Sequence, residues 1–115
     1  MIGFDLQNTS AVKNGKKLLE KIALPGEVDY INRFPNNFEE KVASLWAVKE
    51  AVFKALDIRS GDILFSEVEL CHKDSGAPFI RLYGRALKRL KELGSEIEIS
   101  ISHQKDIVGA VAVIR

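Results

Sequence analysis

The segment from Phe38 to about Ile58 constrains this chain more than any other. At about 100° per residue, Phe38, Val42, Leu45, Trp46, Val52, Phe53 and Leu56 gather on one broad stripe. Ala47, Val48, Ala51 and Ala55 cover much of what remains. A helix that is apolar on most sides is buried on most sides. The chain has 115 residues, material for one hydrophobic core and too little for two. The other segments are therefore expected to wrap this helix as a single domain over residues 1–115. Asn37 with Glu40 resembles a capping box, and Glu39 and Glu40 suit the positive end of the helix.

The flanking segments read as strands and short helices. Ile2 to Leu6 alternates, with Ile2, Phe4 and Leu6 on one face and Gly3 and Asp5 on the other. Glu96 to His103 alternates in the same way, setting Ile97, Ile99 and Ile101 against Glu98, Ser100 and Ser102. Ile107 to Ile114 is apolar throughout and predicts a buried strand, joined to the previous one by a Gln104-Lys105-Asp106 hairpin. A strand over Ile63 to Cys71, bulged near Ser66-Glu67, and one over Phe79 to Tyr83 flank a turn at Asp74-Ser75-Gly76. Short helices are expected over about Ala11 to Ile22, Glu27 to Arg33 and Arg85 to Leu93. Pro25-Gly26 reads as a turn and Gly94 as a helix stop. The fold class is α+β, an antiparallel sheet packed on a long central helix.

Charge and composition narrow the function. Lys and Arg number 17 against 16 Asp and Glu, a formal charge of +1. General nucleic-acid or membrane-surface binding usually comes with a clear basic excess. Cys71 is the single cysteine, so an intrachain disulfide and a multi-cysteine zinc site are excluded. The longest uncharged apolar run, Ile107 to Ile114, falls far short of the roughly 20 residues of a spanning helix. No basic-then-apolar signal pattern opens the sequence. A cytoplasmic location is expected.

The central helix also carries charge where charge is expensive. Lys49 lies near the middle of the apolar stripe, and Glu50 lies at its rim, one turn before Lys54. One reading makes Glu50 and Lys54 an i,i+4 pair worth about 0.2–0.5 kcal/mol, with Lys49 reaching out to water. That reading lacks an exposed face to hold the pair. Ser100-Ile101-Ser102-His103 ends a strand just before a tight turn, and Asp5 ends another. A solvated strand face and a strand-end cap account for each alone. No Gly-x-Ser-x-Gly elbow and no Gly-x-x-x-x-Gly-Lys-Ser/Thr loop is present. Asp5, Glu50, Lys54 and His103 together suit a hard cation and a phosphorylated substrate.

Four pieces combine into a more specific pattern: Gly3-Phe4-Asp5, then Trp46-Ala47-Val48-Lys49-Glu50-Ala51-Val52-Phe53-Lys54-Ala55-Leu56, then Gly76-Ala77-Pro78, then Ser100-Ile101-Ser102-His103. In order, spacing and length the chain resembles the holo-acyl-carrier-protein synthases, the short bacterial branch of the 4′-phosphopantetheinyl transferases. The resemblance implies transfer of the 4′-phosphopantetheine arm from coenzyme A to a serine of acyl carrier protein, releasing adenosine 3′,5′-bisphosphate, a step of fatty acid biosynthesis. It implies Mg²⁺ held by Asp5 and Glu50, and Lys54 on the phosphates. It places His103 and Ser102 at the coenzyme A phosphates and Gly76 and Pro78 beside the adenine. Lys49 would hold phosphate or orient Glu50. His103 is favoured as a phosphate donor over a base. The general base stays open among Glu50, Asp5 and a metal-bound water. The resemblance also implies a homotrimer with sites between neighbouring subunits, which gives the Ile107–Ile114 strand a partner.

Two departures from the family pattern stand out. Asp5 is followed by Leu6-Gln7-Asn8-Thr9, where members carry an acidic and then an arginine residue that grip the carrier protein. Lys13, Lys16, Lys17 and Lys21 offer a basic strip for acidic carrier protein instead, or a solvated helix face. Leu45 stands where a basic residue usually precedes the helix aromatic. Lys41, or Arg85, Lys88 and Arg89 in the Arg81–Lys91 stretch, are candidate substitutes. The competing class is a small non-enzymatic module that binds RNA or an acidic protein through its basic clusters, with steep salt dependence.

Overall fold

The computed structural model describes residues 1–12, 14–58 and 63–115. Its elements are β1 (Ile2–Asn8), α1 (Gly15–Ile22), α2 (Pro25–Asn32), α3 (Phe38–Ala55), β2 (Val68–His72), β3 (Pro78–Leu82), α4 (Gly84–Leu93), β4 (Ile97–Gln104) and β5 (Ile107–Ile114). Lys13 and Gly61 lie outside the described residues.

α3 is the spine. Val42, Ala43, Ala47, Val48, Ala51, Val52, Ala55 and Leu56 are wholly buried, as the all-round apolar pattern requires. An antiparallel sheet in the order β1-β5-β4 lies on one side of it, and the separate β2-β3 hairpin packs elsewhere on the core. The contact between α3 and β1 is made by small residues. A Cβ on Gly3 would run into the backbone of Ala51 and Ala55, so only glycine lets the strand come this close. This approach brings Asp5, two residues on, down onto the last turns of α3.

Local chemistry decides the helix starts. Asn14, in the left-handed region (φ 53°), caps α1 by accepting from the Lys17 N–H at 3.3 Å, which moves the helix start from Ala11 to Gly15. Pro25-Gly26 opens α2 instead of turning the chain. Proline suits the first helical position, and the Glu27 carboxylate accepts from the Leu24 N–H at 2.7 Å. Asn37 makes no side-chain cap bond, so the expected capping box is absent. A 3₁₀ turn over Pro35–Asn37 leads straight into α3. Another 3₁₀ turn, Phe65–Glu67, replaces the expected bulge, and β2 begins only at Val68. The Glu67 carboxylate accepts from the N–H groups of Leu64 and Arg85, both at 2.7 Å, tying this turn to the start of α4.

The β4–β5 hairpin turns through Lys105 (φ 55°) and pairs Ser102 with Gly109 and His103 with Val108. β5 is not buried on both faces. Val108, Ala110, Ala112 and Ile114 face α3 and are buried, whereas Ile107 is 51% exposed. Strand alternation and register place Ile2, Phe4 and Leu6 of β1 on that same outer face, 68%, 55% and 57% exposed. The sheet therefore carries an open apolar face opposite α3.

Candidate active site

Asp5, Glu50 and Lys54 come together where β1 crosses the end of α3. The Lys54 ammonium donates to Asp5 Oδ1 at 3.1 Å and to the Phe4 carbonyl at 3.0 Å. It reaches across to the strand, and the helical Glu50–Lys54 pair does not form. Gln7, on the same strand face, donates from Nε2 to Asp5 Oδ2 at 2.7 Å. Sequence reasoning passed over Gln7, although its i,i+2 spacing from Asp5 was the available signal. Glu50 is half-buried, and burial, reinforced by the negative charge of Asp5, pushes its carboxyl above the ordinary range; Lys54 pulls the other way. Two carboxylates share a partly dry corner with one exposed ammonium to offset them.

Such a corner fits a hard cation. Mg²⁺ takes one or two carboxylates and keeps the rest of its shell as water and phosphate oxygen. Among the described residues no group of three or more His, Cys, Asp or Glu side chains forms a metal site. An all-protein cage is thus not on offer here, and Asp5 and Glu50 are the pair that could hold the ion.

Lys49 stands apart from this corner. It is fully buried, and its ammonium donates to Glu27 Oε1 at 2.8 Å, to the Ile22 carbonyl at 2.7 Å and to the Phe65 carbonyl at 3.0 Å. All three of its protons are used, so neither phosphate nor water is its partner. Its adjacency to Glu50 in sequence turns it about 100° away around the helix. Burial lowers the Lys49 pKa, and Glu27 opposes that shift. Glu27 is 2% exposed and also accepts from the Leu70 N–H at 2.7 Å. Its partnership with Lys49 was not visible in the sequence, because 22 residues separate the two.

His103 belongs to a second region. Its Nε2 lies 3.4 Å from Glu40 Oε1, at the opposite end of α3. Glu40 and Glu50 are separated by about 15 Å along the helix axis, at 1.5 Å per residue. His103 lines a cavity of about 200 Å³ with Gly76 and Pro78, so these residues are brought together. Gly76 turns the chain before Pro78 with φ +91°, a conformation that other residues rarely adopt. Ser102 lies on the outer face of the sheet opposite Gly109, outside the cavity of Gly76 and Pro78, in a shallow groove that His103 also borders. The candidate residues thus fall into two separate groups: carboxylates with Lys54 at one end of α3, and His103 with Gly76 and Pro78 at the other.

Comparison with known proteins identifies the family and the fold. The family model of the 4′-phosphopantetheinyl transferase superfamily matches residues 1–112. The chain belongs to this superfamily. A holo-[acyl-carrier-protein] synthase of Maridesulfovibrio salexigens is 37% identical over 120 residues, covering 98% of this chain and 95% of that protein. The fatty acid synthase subunit alpha of Saccharomyces cerevisiae is 31% identical across 97% of this chain, which corresponds to 6% of that much longer protein. The Helicobacter pylori holo-[acyl-carrier-protein] synthase in complex with coenzyme A superimposes with a TM-score of 0.84 at 27% identity over 100% of both chains. The Neisseria meningitidis holo-[acyl-carrier-protein] synthase gives a TM-score of 0.84 at 28% identity, covering 99% of this chain and 96% of that one. This phosphopantetheinyl transferase fold is therefore the α+β arrangement expected from the sequence.

Proposed function

We propose that the chain moves the 4′-phosphopantetheine arm of coenzyme A onto a serine hydroxyl of an acyl carrier protein and releases adenosine 3′,5′-bisphosphate. The observation that carries this reading is the convergence of Asp5, Glu50 and Lys54 on one corner, in a chain of this superfamily. The serine oxygen bonds to the pyrophosphate phosphorus that bears the arm, and the bond from that phosphorus to the bridging oxygen breaks. Charge grows on the bridging oxygen, and the exposed Lys54 ammonium is placed to meet it. The serine proton leaves to this carboxylate corner. Asp5 and Glu50 would hold Mg²⁺, which when bound neutralises the pyrophosphate and its leaving oxygen. The RNA-binding alternative gives this corner no task.

His103, Gly76 and Pro78 border the nucleotide end of the donor in this reading. Lys16, Lys17 and Lys21 are exposed on α1, whose Leu19 and Ile22 are buried, and they form the docking strip for an acidic carrier protein. The protein works as a homotrimer whose sites lie between neighbours, which joins the two groups and covers the apolar face of Ile2, Phe4, Leu6 and Ile107. No helix among the described residues is long and apolar enough to cross a membrane. The deciding experiment incubates the protein with apo acyl carrier protein, coenzyme A and Mg²⁺. Intact-mass analysis should show one phosphopantetheine added to the carrier, and the addition should stop when EDTA removes the metal. An unmodified carrier with a proven apo substrate would refute the reading.

A further inference from the structure

We infer that Lys41 binds the 3′-phosphate of the coenzyme A donor and thereby lets this protein distinguish coenzyme A from its dephospho form. The inference rests on the transfer reading above and adds to it a residue that selects the donor. The 200 Å³ cavity that holds His103, Gly76 and Pro78 is also lined by Tyr30, Lys41 and His72, from α2, α3 and β2. Pockets for drug-sized ligands run to about 300–1,000 Å³, so this one suits one end of a long donor.

The cavity wall carries one lysine, Lys41. Lys41 is half-buried, with its ammonium 4.7 Å from the Phe34 ring centre and 5.8 Å from that of Tyr30. The rings hold the ammonium in place and strip it of part of its water. Among the described residues, no carboxylate lies within ion-pair distance of it. Of the two acids on the cavity wall, Glu27 pairs with the buried Lys49, and Glu40 lies 3.4 Å from His103 within the cavity. His72 stacks on Tyr30 with ring centres 3.7 Å apart and planes 8° from parallel. Burial, followed by the charge of Lys41, lowers the His72 pKa, so its ring adds a flat wall and no charge at neutral pH.

Chemistry then assigns the phosphate. Coenzyme A carries a pyrophosphate and a separate 3′-monophosphate. The reacting pyrophosphate belongs with Asp5, Glu50 and Lys54, and none of these lines the cavity. The group left for Lys41 is the 3′-monophosphate. Arg85, Lys88 and Arg89 line a different groove with Asp57 and Glu92, and Arg89 donates to the Leu56 carbonyl.

The test compares coenzyme A with 3′-dephospho-coenzyme A as donors, using the transfer assay and calorimetric binding. The unaltered protein should favour coenzyme A. In Lys41→Met that preference should fall about tenfold, the scale of one charge-assisted hydrogen bond to phosphate. Lys41→Arg should restore it, which separates loss of charge from loss of fold. Equal weakening toward both donors in Lys41→Met would overturn the assignment, as would an unaltered protein with no preference. Absence of transfer from either donor by the unaltered protein would instead remove the transfer reading, and this inference with it.

Discussion

Glu50 holds its charge against its surroundings. Burial and the nearby Asp5 raise its pKa, so the folded protein binds the Glu50 proton more tightly than the unfolded chain does. Stability from this residue is then greatest below the ordinary glutamate pKa and declines as pH rises through the interval up to the raised value. Glu50→Gln should therefore increase the melting temperature of the metal-free protein at pH 7–8, and the increase should vanish as pH falls below the ordinary glutamate range. The same change should lower transfer about 100-fold or more, the scale of losing several kcal/mol of charge stabilisation. Thermal melts across pH beside the mass-shift assay would check both; a destabilised variant at pH 8 would contradict the charge argument. Lys49 and Glu50 show how finely position matters: neighbours in sequence, one is locked in the core and the other opens onto the candidate site.

Three elements meet at the Lys49–Glu27 pair. Lys49 comes from α3 and Glu27 from α2, and the N–H of Leu70 in β2 completes the carboxylate. A buried pair of this kind is costly to break, because its survivor is left charged in the core. Lys49→Met should reduce the unfolding free energy by about 3–5 kcal/mol in urea titration. Adding Glu27→Gln should recover part of that loss, since no unpaired charge then remains. Strictly additive losses in the double variant would show that the two residues are not coupled. Gly3 plays the matching role between β1 and α3. There, absence of a side chain sets how near Asp5 comes to Lys54.

At the scale of the whole molecule, the open apolar face asks for a partner. Ile2, Phe4, Leu6 and Ile107 are each more than half exposed on one side of the sheet. Sedimentation should give three times the 12.8 kDa chain mass. Replacing Phe4 and Leu6 together by lysine should give a folded monomer by circular dichroism and sedimentation, with transfer activity lost. An active monomer would overturn assembly as a condition for function.

Much was legible in the sequence because periodicity reports burial. The all-round apolar segment determined that α3 would be the spine, and strand alternation determined that Asp5 lies on the face of β1 opposite Ile2, Phe4 and Leu6. The wheel also placed Lys49 in the core, where it is found. What the sequence could not determine were contacts between distant segments. The partner of Lys49 lies 22 residues away, Lys54 chose a strand 49 residues away over its helical neighbour, and the Tyr30–His72 stack joins α2 to β2. Local patterns carry the energetics of neighbours along the chain. Pairing of buried charges, placement of a cation in a cavity, and exposure of one face of β5 depend on how the elements pack, and only the tertiary structure decides them.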